Sequence, residues 1–379
     1  MSKFWLKVKA YFYKPKVQQI LVDILRTLVS LIIALVIGII IISITSKNPG
    51  ETIKTLFVAP FQDAYTFGMV ITQTVPLIFT GIAVTLMVRG GQFSMIGEGA
   101  FFAGAFIAAV VSAKLNLPWF FGPIIAMLFA TLVMGIVGYV PAKLKSSLKV
   151  DEFVTSLMLN FIIFWVVMYL FNNHFADPDY SSLATPYLED HQKLSFLSAE
   201  NEVSIGIVLA LVLSLLTYFF LYHTKWGYSI RMTGDNPKFA KYLGINTKRV
   251  IVLVQVFGAM IAAFGGATFL LGNSYRFTWK ALPNYGFDGF VVAILAFNHP
   301  LLVPISALLL GYLRVGATEM ARLSDVPNEI VYIIQALIIL LVGGQAFFVR
   351  LKRKRLEKAQ EYSKNKQTED ELVGEDKNV

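Results

Sequence analysis

The stretch "VSIGIVLALVLSLLTYFFLY" (203–222) is an apolar run of 20 residues without a single charged side chain. A helix that crosses a lipid bilayer needs about 20 predominantly apolar residues. A second uncharged run, "VIVLVQVFGAMIAAFGGATFLL" (250–271), follows a short polar segment. Buried core helices of soluble proteins are usually shorter and are broken by charged residues. The two runs therefore predict membrane-spanning helices.

The rest of the chain has the same character. Of its 379 residues, 56% are hydrophobic and 15% are charged, whereas soluble domains carry about 25% charge. We therefore predict an all-α, multi-pass integral membrane protein with about ten transmembrane helices, of which the eighth is short. The predicted spans lie near 25–45, 67–88, 94–113, 118–140, 153–171, 203–222, 250–271, 286–297, 301–318 and 329–349.

The distribution of charge predicts the orientation of these spans. Lys and Arg gather in the loops 141–150 and 223–249 and in the tail after residue 349, while the long loop 172–202 is acidic. Loops rich in Lys and Arg stay in the cytoplasm. Both termini are therefore expected in the cytoplasm, and the net charge of +9 indicates membrane orientation rather than nucleic-acid binding.

Three regions are expected along the chain. Residues 1–24 form a basic cytoplasmic segment, residues 25–349 form the membrane domain with its cytoplasmic loop 223–249, and residues 350–379 form a polar, disordered tail. The chain has no cysteine, and its four histidines do not have the spacing of metal ligands. We expect no metal and no cofactor in this chain.

The polar stretch "TGDNPKFAKYLGIN" (233–246) interrupts the apolar pattern. Asn236 is a suitable N-cap, Pro237 suits the first helical position, and Gly244 suits the C-terminal stop. These residues predict a helix of about seven residues, which is too short to be stable alone in water. The helix must therefore dock against something.

An apolar face on this helix indicates how it docks. Phe239 and Leu243 are four residues apart and share one face, with Ala240 beside them. This face suits a groove on a cytoplasmic partner. It also suits the surface of the protein's own spans, and the residues alone leave both interpretations open.

Polar side chains within the spans are candidates for the transport path or for internal pairing. They are Gln73, Glu98, Asn160, Gln255, Asp288, Arg314, Glu319 and Gln335. Arg314 and Glu319 are expected to pack or pair near the outer surface. Glu98 and Asp288 stand out because both lie beside glycines at the start of a span, one entered from inside and the other from outside. This favours inverted repeats with broken helices that meet near the middle. Each carboxylate can either cap a half-helix or bind substrate hydroxyl and amino groups.

The stretch "KWGYSIRMTGDNPKFAKYLGINTKRV" (225–250) resembles the cytoplasmic loop of permeases from binding-protein-dependent ABC importers, which carry simple sugars, branched-chain amino acids and nucleosides. The matching positions are Gly227, Arg231, Gly234, Asn236, Pro237, Ala240, Gly244 and Ile245. Stretches 151–161, 286–317 and 326–342 are similar to further motifs of the family, in the same order. The likeness is greatest to the nucleoside-import branch.

One motif departs from the family pattern. Where the family has Phe-Asn-Ile-Gly-x-Glu-Gly-Gln, this chain has "FSMIGEGA" (93–100), so that Ser94 replaces the Asn and Ala100 the Gln. The resemblance therefore leaves nucleoside and simple sugar open as the small-molecule substrate. The predicted substrate-path residues are Gln73, Ser94, Glu98, Asn160, Phe287, Asp288 and Gln335, with Phe287 available to stack on a nucleobase.

The resemblance also implies partners. The short helix would fit a cleft on a separate ATPase subunit, which binds ATP and Mg, through Gly234, Asp235, Asn236, Pro237, Phe239, Ala240, Leu243 and Gly244. A second, non-identical permease and an extracellular substrate-binding lipoprotein would complete the importer in a bacterial plasma membrane. In agreement, the sequence contains no phosphate-binding G-x-x-x-x-G-K-[ST] loop.

Two other classes of protein are considered. An ion-coupled secondary transporter would have a similar number of spans and acidic residues in the membrane, but would not need the short cytoplasmic helix. A membrane enzyme would need a cluster of catalytic side chains on one membrane face, which the sequence does not suggest.

Overall fold

The computed structural model describes residues 33, 36–114, 121–198, 202–324, 333 and 336. The chain divides into two compact units, one of residues 46–328 and one of residues 1–45 with 329–379. In the second unit, the described part includes the helix α1, Val36–Thr45. About half of the predicted span 25–45 and nearly all of the predicted span 329–349, with Gln335, lie outside the described residues, and the count of ten spans stays a prediction.

The unit of residues 46–328 is built almost entirely from helices. They are α2 Pro49–Val58, α3 Ala64–Arg89, α4 Gly97–Lys114, α5 Phe121–Lys143, α6 Glu152–Leu170, α7 Gly206–His223, α8 Lys225–Asp235, α9 Pro237–Tyr242, α10 Thr247–Phe269, α11 Tyr285–Leu295 and α12 Val303–Leu323. Two short antiparallel strands, β1 Phe196–Ser198 and β2 Val203–Ser204, lie in the loop before α7. The all-α prediction is confirmed.

Within the described ranges, 7 helical stretches are long and apolar enough to cross a membrane. They are Ala64–Arg89, Gly97–Lys114, Phe121–Leu148, Glu152–Phe175, Gly206–His223, Thr247–Ser274 and Pro300–Leu323. Each coincides with a predicted span, although the stretch from Phe121 extends well beyond the predicted end at 140. It ends at Leu148, and the following residue Lys149 has a left-handed φ of 58°.

The predicted eighth span is half a span. α11 has 11 residues, which corresponds to about 16 Å at 1.5 Å per residue. The hydrocarbon core of a bilayer is about 30 Å thick. α11 therefore reaches about halfway through the membrane.

Small residues allow α10 to lie close to its neighbours. A Cβ atom at Gly104 of α4 would overlap the backbone of Ala263 on α10. A Cβ at Gly138 of α5 would lie 2.6 Å from the Cβ of Ala259 on α10. Close contact through small residues is how membrane helices pack when no hydrophobic effect drives them together.

The outer surface of the helices is apolar. Phe161, Trp165 and Tyr169 follow one another at four-residue spacing along α6, and all three are exposed. An exposed stripe of this kind is suited to lipid rather than water. It agrees with the assignment of α6 to a membrane span.

The charge-based orientation is tested by placing single cysteines into this naturally cysteine-free chain. Cysteine at Ser181, in the acidic loop 172–202, is expected to react with a membrane-impermeant thiol reagent in intact cells. Cysteine at Lys248, at the start of α10, is expected to react only after the cells are permeabilised. Both positions are exposed in the structure. If only the cysteine at position 248 were labelled in intact cells, the orientation would be the opposite of the predicted one.

Candidate functional site

The N-terminal ends of α4 and α11 meet at Glu98. Its carboxylate is fully buried, and its two oxygens accept hydrogen bonds from the backbone N–H groups of Asn284 at 2.7 Å and Gly286 at 2.6 Å. The Asn284 side chain makes no cap to α11. The Glu98 side chain is therefore the cap of α11, and it comes from a different helix. A Cβ atom at Gly286 would overlap the Glu98 backbone, so this contact requires glycine.

Contacts with α3 show at which level along that helix Glu98 meets α11. Gly289 of α11 packs on Thr80, where an added Cβ would lie 2.8 Å from the threonine Cβ. Further along, Arg89 at the end of α3 bonds the carbonyl of Asn298 just after α11, so the two helices run parallel. Gly286 precedes Gly289 by about one turn and so lies near the middle of the 26-residue α3. Glu98 therefore lies level with the middle of α3, and its expected place near the middle of the bilayer stays a prediction. The inverted repeat itself stays a prediction.

The unwound segment 90–96 before α4 is held by side chains of α6. Non-helical backbone at membrane depth needs partners for its polar groups, because lipid offers none. The bonds run from Phe93 N–H to Glu152 Oε1 at 3.3 Å, from Met95 N–H to Ser156 Oγ at 2.8 Å, and from Gly99 N–H to Asn160 Oδ1 at 3.0 Å. The three acceptors are four residues apart and so share one face of α6. Glu152 also pairs with Lys145 at 2.5 Å.

A second polar cluster lies beside the start of α11. The Asp288 carboxylate pairs with the Arg314 guanidinium of α12 at 3.0 Å. That guanidinium lies over the ring of Tyr285, 4.7 Å from its centre, and the Tyr285 hydroxyl donates to Gln73 Oε1 at 2.7 Å. Arg314 Nη1 is buried and bonds no atom of the described residues. The cluster thus offers an amide, a phenol, a carboxylate and a guanidinium with a donor to spare.

The structure brings together some of the predicted substrate-path residues and not others. Gln73 and Asp288 belong to the cluster around Arg314, and Phe287 on the same helix is 36% exposed. Asn160 bonds backbone at both ends of its amide, since Nδ2 also donates to the Met95 carbonyl at 2.8 Å. Ser94 is fully buried, and its hydroxyl has no hydrogen-bond partner within the described ranges.

Some site residues were missed by sequence reasoning. Arg314 was expected to pack or pair near the outer surface; it does pair, but with Asp288 at the half-helix. Ser156 and Glu152 were not singled out at all, although their four-residue spacing before Asn160 was visible in "EFVTSLMLN" (152–160). Glu319, also expected to pair, contacts Arg322 at 2.6 Å.

The basic loop 223–249 forms the expected short helix, α9. Asn236 caps it, with its Oδ1 accepting the Phe239 N–H at 3.1 Å. At the other end, Gly244 adopts a left-handed φ of 78°, and the Ile245 N–H bonds the Ala240 carbonyl at 3.0 Å. This is a Schellman stop, in which glycine avoids the strain that a side chain would suffer. The preceding helix α8 was not predicted; Asn236 separates the two helices because a residue before proline disfavours helical geometry.

α9 contacts its own protein and also presents an exposed apolar face. Ala240 is fully buried, whereas Phe239 is 53% exposed, Leu243 50% and Tyr242 90%. Tyr242 was not predicted as part of this face. Two aromatic rings of this six-residue helix and the leucine that follows it are thus exposed. Exposed apolar side chains clustered outside the spans are typical of a protein–protein contact.

A half-length helix capped by a buried carboxylate, spans with an exposed apolar surface and a short helix in a basic loop are typical of a membrane-embedded transport protein. The comparisons with known proteins agree. Residues 66–343 match the family described as the branched-chain amino acid transport system / permease component, and the chain belongs to this family. It is a transport subunit and a membrane protein.

Several curated proteins are similar over nearly the whole chain. The guanosine ABC transporter permease protein NupP of Bacillus subtilis is 28% identical over 87% of this chain and 96% of its own length. The nucleoside ABC transporter permease protein NupB of Lactococcus lactis is 26% identical over 90% and 97%. The glucose ABC transporter permease protein TsgB13 of Haloferax volcanii is 27% identical over 84% and 87%. The chain is thus the permease of an ATP-driven importer.

Proposed function

We propose that this chain carries nucleosides inward across a bacterial plasma membrane, with both termini in the cytoplasm. The observation that carries the proposal is family membership together with full-length similarity to permeases named for guanosine and nucleosides. A simple sugar is the second candidate, because a glucose permease is similar to nearly the same degree.

The substrate path passes beside the start of α11. Gln73, Tyr285, Asp288 and Arg314 provide donors and acceptors of the kinds that ribose hydroxyls and base edges need. The free donor on Arg314 suits an acceptor on the substrate. Phe287 is available for stacking on a base.

Transport is powered from outside this chain. ATP and Mg are bound by a separate ATPase subunit, which docks on the exposed face of α9 and drives the permease between outward-open and inward-open states. A second, non-identical permease and a substrate-binding lipoprotein on the outer face complete the importer. The family supports an ATPase and a binding protein in general terms, and the exposed Phe239, Tyr242 and Leu243 support the docking site.

Competition decides between the two substrate classes. In cells that carry the complete importer, uptake of labelled guanosine is expected to fall when excess unlabelled nucleoside is added and to stay unchanged with excess ribose or glucose. A strain without this chain provides the background. Sugar uptake that depends on the chain, with no guanosine uptake, would replace the nucleoside proposal by the sugar alternative.

A further inference from the structure

The segment 89–98 holds α11 at both of its ends. At the start of α11, Glu98 accepts the two backbone N–H bonds already described. Just beyond its end, the Arg89 guanidinium donates from Nε to the Asn298 carbonyl at 2.7 Å and from Nη2 to the Phe297 carbonyl at 3.2 Å. One short segment thus contacts both ends of the half-helix.

The two charges match the ends that they contact. The start of a helix carries partial positive charge and favours an anion, while the end carries partial negative charge and favours a cation. Glu98 is at the start and Arg89 is at the end. The segment therefore stabilises α11 in a defined position between its two charged side chains.

The turn after α11 needs this support. Phe297 and Asn298 have φ angles of 53° and 52°, in the left-handed region that side chains other than glycine rarely adopt. The turn is a Schellman stop, since the Asn298 N–H bonds the Ala293 carbonyl at 2.8 Å. A phenylalanine stands where glycine is usual, and Arg89 bonds the carbonyl of that same residue. Burial and the Arg89 charge lower the pKa of the adjoining His299, which favours its neutral form.

The same segment touches the loop that carries α9. Gly234, at the end of α8, packs directly on the Arg89 carbonyl, where an added Cβ would overlap it. From the other side, a Cβ at Gly91 would lie 3.0 Å from the Gly234 Cα, and Gly91 itself has a left-handed φ of 70°. α9 begins at Pro237, close behind Gly234 in the chain. Any displacement of α8 and α9 must therefore move Arg89 or break this contact.

We propose that the segment 89–98 transmits movement of α9 to α11, with Arg89 as the positioning residue that links ATP hydrolysis to opening of the substrate path. This inference rests on the proposed function. It adds a physical route from the cytoplasmic loop to the polar cluster: Gly234 to Arg89, Arg89 to the end of α11, and Glu98 to its start.

The test measures ATP hydrolysis and substrate uptake in the same proteoliposomes, made from the complete importer. Arg89→Ala removes both carbonyl bonds. We expect it to keep the ATPase subunit on purification and to hydrolyse ATP within about twofold of wild type, while uptake per ATP falls at least about tenfold. Arg89→Lys keeps the charge and one donor, and is expected to recover part of that ratio. Lys54→Ala, which removes an exposed cation of α2, is the matched control and should behave as wild type.

Gly91→Ala provides an independent variant, should Arg89→Ala fail to assemble. It crowds Gly234 without removing Arg89, and it too should lower uptake per ATP. An unchanged ratio in an assembled Arg89→Ala importer, or in Gly91→Ala if only that variant assembles, would overturn the inference. Absence of ATP-dependent uptake in the wild-type importer would instead contradict the proposed function, so the two failures are distinguishable.

Discussion

Glu98→Gln is expected to reduce uptake at least about tenfold while the importer still assembles. The wild-type carboxylate accepts one backbone N–H on each oxygen. Glutamine has one oxygen, so its amide NH₂ would face a backbone N–H and leave a buried donor without a partner. A loss of this kind costs about 1–3 kcal/mol, and more where the lost acceptor was charged. Since every 1.4 kcal/mol is about tenfold in an equilibrium, the middle of this range shifts the balance between docked and released α11 by more than tenfold, and we expect uptake to fall with the docked fraction.

The control for this variant is Glu319→Gln. Glu319 is also a largely buried carboxylate, but it lies near the end of α12 and forms an ion pair with Arg322, which is exposed. The Glu319→Gln importer is expected to transport nearly as well as wild type. The two variants are compared by their uptake at matched expression. Normal uptake by Glu98→Gln would show that Glu98 is not part of the functional site.

Phe239→Ala is expected to release the ATPase subunit. The ring is half exposed on α9 and outside the membrane spans, so the variant should insert and fold normally. Truncating an aromatic side chain at the centre of a protein–protein contact can cost 2 kcal/mol or more, which is roughly a thirtyfold loss of affinity. Co-purification with the ATPase and uptake should both fail.

Tyr228→Ala serves as the matched control, since it removes an exposed aromatic ring from α8 in the same loop. It is expected to keep the ATPase. If Phe239→Ala also kept it and transported normally, α9 would serve only its own protein. The ATPase contact would then belong to the other basic cytoplasmic loop, 141–152.

The helices that could be predicted from the sequence are those that depend on residues close together along the chain. α7 and α10 follow from uncharged runs of membrane length, and the half-length of α11 follows from a run that is too short. α9 was predicted with its Asn236 cap and its Gly244 stop, because both depend on a few adjacent residues. These elements depend on residues that are adjacent in the sequence, so they can be predicted from it.

Contacts between distant residues could not be predicted in the same way. The sequence indicated Glu98 as a cap for a half-helix, but it did not indicate that this helix is α11, whose capped residue Asn284 lies 186 residues further on. The pairing of Arg314 with Asp288 depends on how α11 and α12 pack. α8 was missed because its sequence is largely polar and its position depends on packing, including the contact of Gly234 with the distant Arg89.

The most direct test of the account is nucleoside uptake into proteoliposomes that contain this chain, its companion permease, the ATPase and the binding protein. We expect uptake to require ATP on the side of the membrane that the ATPase faces, and to persist after every ion gradient has been dissipated. Uptake that continues without ATP, and stops when the ion gradients are removed, would contradict it and identify an ion-coupled transporter.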